Sequence, residues 1–358
     1  MQALELLKKL ISTPSHSREE GATASIIEGW LSNKGVAQSD IKRLNNNILA
    51  YSKGFFAEEN STKQILLLNS HHDTVKPAAS YTRDPYSPDV EDGKLYGLGS
   101  NDAGASVVGL MSAFVAHYPT SEALPFRIIL AITAEEEVMG ENGIRSLIDT
   151  ELKGVAMAIV GEPTLLDGAV GERGLVVLDC VAEGKSGHAA RDEGENALYK
   201  AVRDIEKLRT FQFEKESELL GPIRMTTTMI ECGTQHNVVP DRCKFVVDCR
   251  TTDAYSNVDF AKLIDSVLES SATPRSTRIN ASALDKNHPL LQCAEALGAK
   301  AYISPTTSDM ALMPWPALKI GAGDSARSHT ADEYVGVDEV ERGVAFYTEM
   351  IKKLSEIL

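Results

Sequence analysis

Residues 65–73 read Ile-Leu-Leu-Leu-Asn-Ser-His-His-Asp, "ILLLNSHHD", an unbroken apolar run that ends in two imidazoles and a carboxylate. Branched apolar residues without polar alternation are the pattern of a strand covered on both faces, as in a parallel sheet flanked by helices. Three further runs repeat the design: "FRIILAIT" at 126–133, "VAMAIVG" at 155–161 and "PALKIGAG" at 316–323. Helical patterns stand between and around them, at 1–12, 18–33, 102–117 and 290–300. Ser17 and Glu20 have the spacing of a capping box for the second of these helices. The outer thirds of the chain are therefore predicted to form a doubly wound, mostly parallel α/β sheet.

The middle of the chain has a different period. "GLVVLDCVAEGKSG", "IRMTTTMIECGT" and "CKFVVDCRTT" show the half-buried alternation of antiparallel strands, with helical patterns near 195–209 and 257–270. An inserted α+β domain over 173–283 follows, splitting the first domain into 1–172 and 284–358.

Composition narrows the function classes. The chain has 358 residues, 43% hydrophobic and 24% charged, enough for two domains with separate cores. No apolar stretch is long enough for a membrane span, and the start "MQALELLKKLISTPS" carries charges where a signal peptide is apolar. The formal net charge of −15 opposes binding to nucleic acid, whose phosphates are recognised first. The five cysteines are scattered without a C-x-x-C pair, which suits reduced thiols and a cytoplasmic protein.

The chemistry sits where the apolar runs stop. In a strand successive side chains face opposite ways, so His71 and Asp73 share a side and His72 points away. A metal-bound imidazole commonly gives its second N–H to a carboxylate, an arrangement for which His71 and Asp73 have the composition. "FRIILAIT" gives way to Glu135, Glu136 and Glu137; "VAMAIVG" runs into Glu162; "PALKIGAG" leads through Asp324 to His329; and "GKLYGLGSNDAG" places Asp102 just before a helix. In an open α/β sheet the carboxyl ends of the strands line the ligand crevice, so five donors would converge there. Two imidazoles and three carboxylates suit two zinc ions. Taken singly each residue also has a plainer reading: an acidic run as a solvated face, Asp102 as a helix cap, His329 as a helix end. The glycine loop "GLGSNDAG" lacks the spacing of a dinucleotide site, and no nucleophile elbow, phosphate loop or helical H-E-x-x-H occurs.

These motifs, in this order, resemble the dinuclear-zinc M20 metallopeptidases, the group that includes acetylornithine deacetylase and succinyl-diaminopimelate desuccinylase. "SHHDTV" is similar to the segment that supplies a ligand, His71, and its orienting Asp73, and "YGLGSNDAG" to the one that supplies the bridging Asp102. "TAEEE" resembles the segment in which Glu136 would be the general base and Glu137 a ligand, while "VGEPT" and "GAGDSARSHTADEYV" correspond to Glu162 and His329. The resemblance implies one zinc on His71 and Glu162, a second on Glu137 and His329, and Asp102 between them, with cobalt as a possible substitute. It also implies a cis peptide after Asp102.

In the inserted domain "GKSGHAA" resembles the lid segment whose histidine, His188, reaches the partner's site. "HNVVPDRCKFVVDCR" resembles the one that brings a substrate-binding asparagine and arginine, Asn237 and Arg250. The inserted domain is then a ferredoxin-like lid and dimerisation domain, and the partner a second copy of the chain. His188 as a turn residue and Arg250 as the partner of Asp248 or Asp253 are the plainer readings. The implied function is metal-dependent hydrolysis of an N-acyl amino acid, with N-acetylornithine or an N-acyl-ornithine or citrulline first. Succinyl-diaminopimelate or a di- or tripeptide is the alternative. A non-enzymatic relative is disfavoured because a pure binding site has no use for Glu136. The chain departs from the family pattern at Glu135, where aspartate is usual, and at Ala103.

Overall fold

A computed structural model of the chain describes residues 2–191 and 193–358. Its contacts divide into two units, one of the chain through Val170 with Leu284–Tyr302 and Ser308–Leu358, the other of Gly171–Ala283 with Ile303–Thr307. The short segment 303–307 thus belongs with the inserted part of the chain, although the sequence carries no mark of it.

In the first unit the four apolar runs become adjacent strands. The sheet order is Ile41–Leu44, Asn47–Tyr51, Phe126–Thr133, Gln64–His71, Val155–Val160, Ala317–Lys319, Gly168–Glu172. The middle four strands are mutually parallel and the outer ones antiparallel. Gln64–His71, at the centre, is buried at every position after its first residue, which is why it carries no polar alternation. Register decides where the chemistry falls: His71 stands opposite Thr133, and Asn69 opposite Val160, which in turn faces Lys319. The strands therefore end level, and the residues that follow them emerge at one edge.

One face of this sheet packs Leu49, Leu67, Ile129 and Val160 with Ile144, Leu147 and Leu152. Helices Ala105–His117 and Val337–Ile357 pack against each other, and the first of them also against Gln64–His71. Gly109 lets the two helices close up: a Cβ there would stand 3.0 Å from the ring of the buried Tyr347, whose hydroxyl donates to Ile320 O at 2.6 Å.

The second unit is a βαββαβ arrangement of Gly174–Glu183, helix Ala197–Thr210, Arg224–Cys232, Arg242–Thr251, helix Asn257–Val267 and Ser271–Pro274. Its antiparallel sheet runs Arg224–Cys232, Arg242–Thr251, Gly174–Glu183, Ser271–Pro274, the ferredoxin-like order. Strict alternation of burial along Gly174–Glu183 puts Val176, Leu178, Cys180 and Ala182 into a core with Phe245, Val247 and Phe260. Asn196 and Ser256 cap the two helices by accepting N–H groups of Leu198 and Asp259.

Two expectations fail locally. Helix Gly21–Asn33 starts later than predicted, and Ser17 and Glu20 form no capping box: Ser17 donates to Asp73 and Glu20 turns toward Arg18 and Asn46. Those partners, distant in sequence or outside the helix, win over the local cap. The helix predicted from 102 begins at Ala105, because Asp102 (φ −116°, ψ 98°) and Ala103 are non-helical and the peptide between them is cis. All five cysteines are free thiols, and among the described residues no helix is long and apolar enough to cross a membrane.

Candidate metal centre

At the carboxyl edge of the parallel strands five donor side chains form two triads that share one residue. His71, Asp102 and Glu162 make one, Asp102, Glu137 and His329 the other, each with donor atoms within 4.8 Å of one another. Asp102 divides its oxygens between them: Oδ1 lies 3.3 Å from His71 Nε2, and Oδ2 lies 3.6 Å from His329 Nε2. Glu162 Oε1 stands 3.7 Å from His71 Nε2. Two donors roughly 2.0–2.2 Å from one tetrahedral zinc ion stand about 3.3–3.6 Å apart, so these separations fit a shared cation with little movement. His329 and Glu137 approach more closely, 2.8 Å, a hydrogen-bond distance that would open by roughly half an ångström around a metal.

The backbone is shaped for this. Each donor follows a sheet strand or sits on a tight turn, and three non-glycine residues here are left-handed: Glu135 (φ 57°), Met139 (φ 47°) and His329 (φ 59°). Each such residue costs on the order of 1 kcal/mol, and the type collects at functional sites. Gly99 (φ 74°) opens the turn that carries Asp102; a Cβ there would meet Thr74 Cγ2 at 2.6 Å.

Buried carboxylates outside the two triads hold these turns through backbone N–H groups. Asp73 Oδ1 accepts from Glu136 N at 3.0 Å and Oδ2 from Glu137 N at 3.2 Å, while Ser17 Oγ donates to Oδ2 at 2.7 Å. Glu333 accepts from the N–H groups of Gly99, Asn101 and Asp102, fixing the other turn. Glu20 accepts from Glu135 N at 3.2 Å. His71 Nδ1 lies 3.0 Å from Asp73 O and 3.4 Å from Asp73 Oδ1, so the residue expected to orient the ring does so chiefly through its carbonyl. His72, on the opposite side, is occupied with Thr23 and Asn46.

Glu136 belongs to neither triad. Its Oε2 stands 3.9 Å from His71 Nε2. Burial, together with the nearby carboxylates of Glu162, Asp309 and Glu137, pushes its pKa well above the usual carboxylate range despite the opposing His71. Burial alone would keep His71 neutral, but Glu136, Asp102, Asp73 and Glu162 raise its pKa well above that of an ordinary imidazole. The pKa of Glu137 is raised by burial, while His71 outweighs burial at Asp102 and lowers it. The first triad is closed off, with His71 1% exposed, whereas the His329 side chain is 55% exposed and opens the second to solvent.

Two buried acids had no counterpart in the sequence reading. Asp309 accepts from Thr133 Oγ1 at 2.9 Å beneath the strand ends, and burial raises its pKa to about 7. Glu333, four residues after His329, is raised to about 8 by burial and by Asp102. Nothing in the spacing around Asp309 marks it; Glu333 lay inside a recognised motif but had no assigned task.

The three remaining candidates lie on the second unit. His188 ends the two-residue strand Gly187–His188, pairs with Val238 and accepts at Nδ1 from Ala190 N at 3.1 Å. Asn237 O accepts from Ala189 N. Arg250 forms a two-pronged ion pair with Asp248, at 2.8 and 3.2 Å, which is one of its plainer readings.

The family model of peptidase family M20/M25/M40 matches residues 67–353. The chain is 26% identical to the succinyl-diaminopimelate desuccinylase of Wolbachia pipientis subsp. Culex pipiens (strain wPip), covering 98% of this chain and 92% of that protein. It is likewise 26% identical to the enzyme of that name from Cereibacter sphaeroides (strain ATCC 17025 / ATH 2.4.3), covering 98% of each. Among solved structures it is similar in fold to the Bacillus subtilis YXEP protein, a dinuclear metal binding peptidase from the M20 family. The TM-score is 0.73 at 14% identity, over 100% of this chain and 98% of that one.

Proposed function

The chain belongs to peptidase family M20/M25/M40, a family of metallo-hydrolases, and from that premise we propose that it hydrolyses the amide of an N-acyl amino acid with the help of two zinc ions. The observation that carries the proposal is Asp102, whose two oxygens face two histidines from opposite sides while Glu136 stands beside the pair without joining either triad. In this reading His71, Asp102 and Glu162 hold one ion, and Asp102, Glu137 and His329 the other. A donor set of imidazole and carboxylate suits zinc and accepts cobalt. When bound there, such a pair acidifies a water and polarises the scissile carbonyl.

Glu136 does the proton work. Its Oε2 takes a proton from the attacking water and passes it to the departing nitrogen, so the amide and one water become a carboxylic acid and an amine, which part as carboxylate and ammonium. A carboxylate beside the ligands but without metal ligation suits this task, because the proton must be both taken and returned. Asp73 holds the backbone of Glu136 and Glu137 at once, coupling the base to a ligand. Arg250 would release Asp248 to hold the substrate carboxylate, and Asn237, on the loop at the other end of the same strand, would bind substrate as well. His188 would stabilise the oxyanion in the partner's site, which makes a homodimer formed through the second unit part of the catalyst.

For the acyl group, the names of the relatives favour N-succinyl-diaminopimelate over the N-acetylornithine put first from the sequence. The test is a hydrolysis panel with added zinc or cobalt: N-succinyl-diaminopimelate, N-acetylornithine, N-acetylcitrulline, their succinyl counterparts and several dipeptides. Release of amine from one member, abolished by chelation and by Glu136→Gln with metal content kept, is the expected result. Full turnover in metal-free protein, or in Glu136→Gln, would exclude the mechanism.

A further inference from the structure

In the second unit Cys232 and Cys243 are direct cross-strand partners on Arg224–Cys232 and Arg242–Thr251, and they bracket the loop that carries Asn237. We propose that these two thiols are a disulfide-forming modification site, oxidised by a small soluble disulfide of the glutathione type, and that the bond staples the base of that loop.

Directly opposed residues in an antiparallel pair have Cβ atoms about 4.5–5.5 Å apart, and a disulfide needs roughly 3.5–4.5 Å, so closure asks for a shift of under about 1 Å. Cys232 packs at the edge of the same core that takes in Cys243, so the side chains share a face. The Cys232 thiol donates to Arg242 O at 3.5 Å, on the strand that carries Cys243.

The two sulfurs differ in a way that orders the chemistry. Cys232 is half-buried, whereas Cys180, Cys243, Cys249 and Cys293 are buried. Burial, then the neighbouring Cys232, pushes the Cys243 thiol up to about 12. A groove of about 390 Å³ reaches Cys232, with Arg242 and Lys244 as cations and Glu231 and Asp241 as acids. The cations are matched by acids, with Glu183 3.5 Å from Arg242 and Glu231 directly opposite Lys244, so it is the opening of the groove onto Cys232 that admits a small reagent. The thiolate of Cys232 attacks one sulfur of the reagent, which leaves half of itself on Cys232 and releases the other half as a thiolate that takes up the proton. Cys243 then loses its proton, attacks Cys232 Sγ and expels the second half. Two protein thiols are oxidised to one disulfide while the reagent's disulfide is reduced to two thiols, with no net change in protons.

The consequence reaches the residues nearest the bond. The loop holds Asn237 and the strand Val238–Val239, which pairs with Gly187–His188. Joining its ends limits how far Asn237 and the strand paired with His188 move. Only the functional meaning of that restraint rests on the hydrolase reading; formation of the bond does not.

The experiment equilibrates the full chain in glutathione redox buffers, quenches with N-ethylmaleimide and maps the cysteines by mass spectrometry, beside Cys232→Ser and Cys243→Ser. Expected are a Cys232–Cys243 linkage that follows the glutathione ratio and reverses with dithiothreitol, a glutathione adduct held on Cys232 in Cys243→Ser, and no adduct in Cys232→Ser. Amide hydrogen exchange across residues 233–242 is expected to slow several-fold in the oxidised protein alone. A stable glutathione adduct on Cys232 in the unsubstituted chain, linkage to a different cysteine, or no reaction at all would overturn the site. Unchanged exchange across the loop would overturn the staple. Neither readout involves hydrolysis, so their failure is separable from failure of the catalytic reading.

Discussion

Replacing Asp73 by asparagine separates orientation from shape. The carboxylate accepts the N–H groups of Glu136 and Glu137 on its two oxygens and a hydroxyl from Ser17. The side chain of the Asp73→Asn variant would keep one oxygen; whichever way the amide turns, its NH₂ faces one of the two backbone donors. The Ser17 hydroxyl can rotate and accept, so one buried N–H is left without an acceptor, at a cost of about 1–3 kcal/mol. The bond that survives loses its charge assistance, a further cost of about 1 kcal/mol. A loss of roughly 2–4 kcal/mol in stability follows. Removal of an outer partner of a metal ligand commonly lowers metal affinity about 10–100-fold. Here Asp73 O, at 3.0 Å, is nearer to His71 Nδ1 than the carboxylate is, so the ring keeps its tautomer and the loss should lie near the lower end, about tenfold. Thermal melts of the metal-free protein read the first quantity and competition with a chromophoric zinc chelator the second. Unchanged melting together with unchanged affinity would refute the role given to Asp73.

Glu333 and Asp309 titrate at about 8 and about 7 in the folded metal-free chain, both raised chiefly by burial from ordinary values of 4.5 and 3.8. Acids whose folded pKa is raised stabilise the fold fully at pH below about 4 and lose that contribution as pH rises through 7 and 8. Chelated protein should therefore melt progressively lower from pH 5 to pH 9, and Glu333→Gln should flatten the upper part of that slope; an identical slope would contradict the assignment. Asp309→Ala removes the nearer acceptor of the Thr133 hydroxyl beneath the strand ends and leaves it the longer bond to Ser70 O, for a loss of about 1 kcal/mol in chemical denaturation, while Asp309→Asn should recover part of it.

Legibility in the sequence followed the range of the forces. The central strands could be read because burial on both faces writes itself as a local run, and Gly174–Glu183 because burial on one face writes itself as alternation. The five donors were named from the ends of those runs and from the resemblance, and they lie together because the strands end level. The cis peptide implied after Asp102 is present. Ser17 was misread because a local spacing competes with a partner 56 residues away, which the helix-start pattern does not register. Asp309 and Glu333 were invisible as support because their work consists of accepting donors brought to them by the tertiary fold. Segment 303–307, which joins the second unit, has no compositional sign.

The proposed chemistry depends above all on Asp102 standing between two metal ions. Anomalous diffraction from crystals grown with zinc, collected on both sides of the zinc absorption edge, addresses this directly. Two peaks are predicted, one among His71, Asp102 and Glu162 and one among Asp102, Glu137 and His329, about 3.5–4 Å apart with one oxygen of Asp102 toward each. A single peak remote from Asp102, or none in protein that hydrolyses an N-acyl amino acid, would contradict that placement.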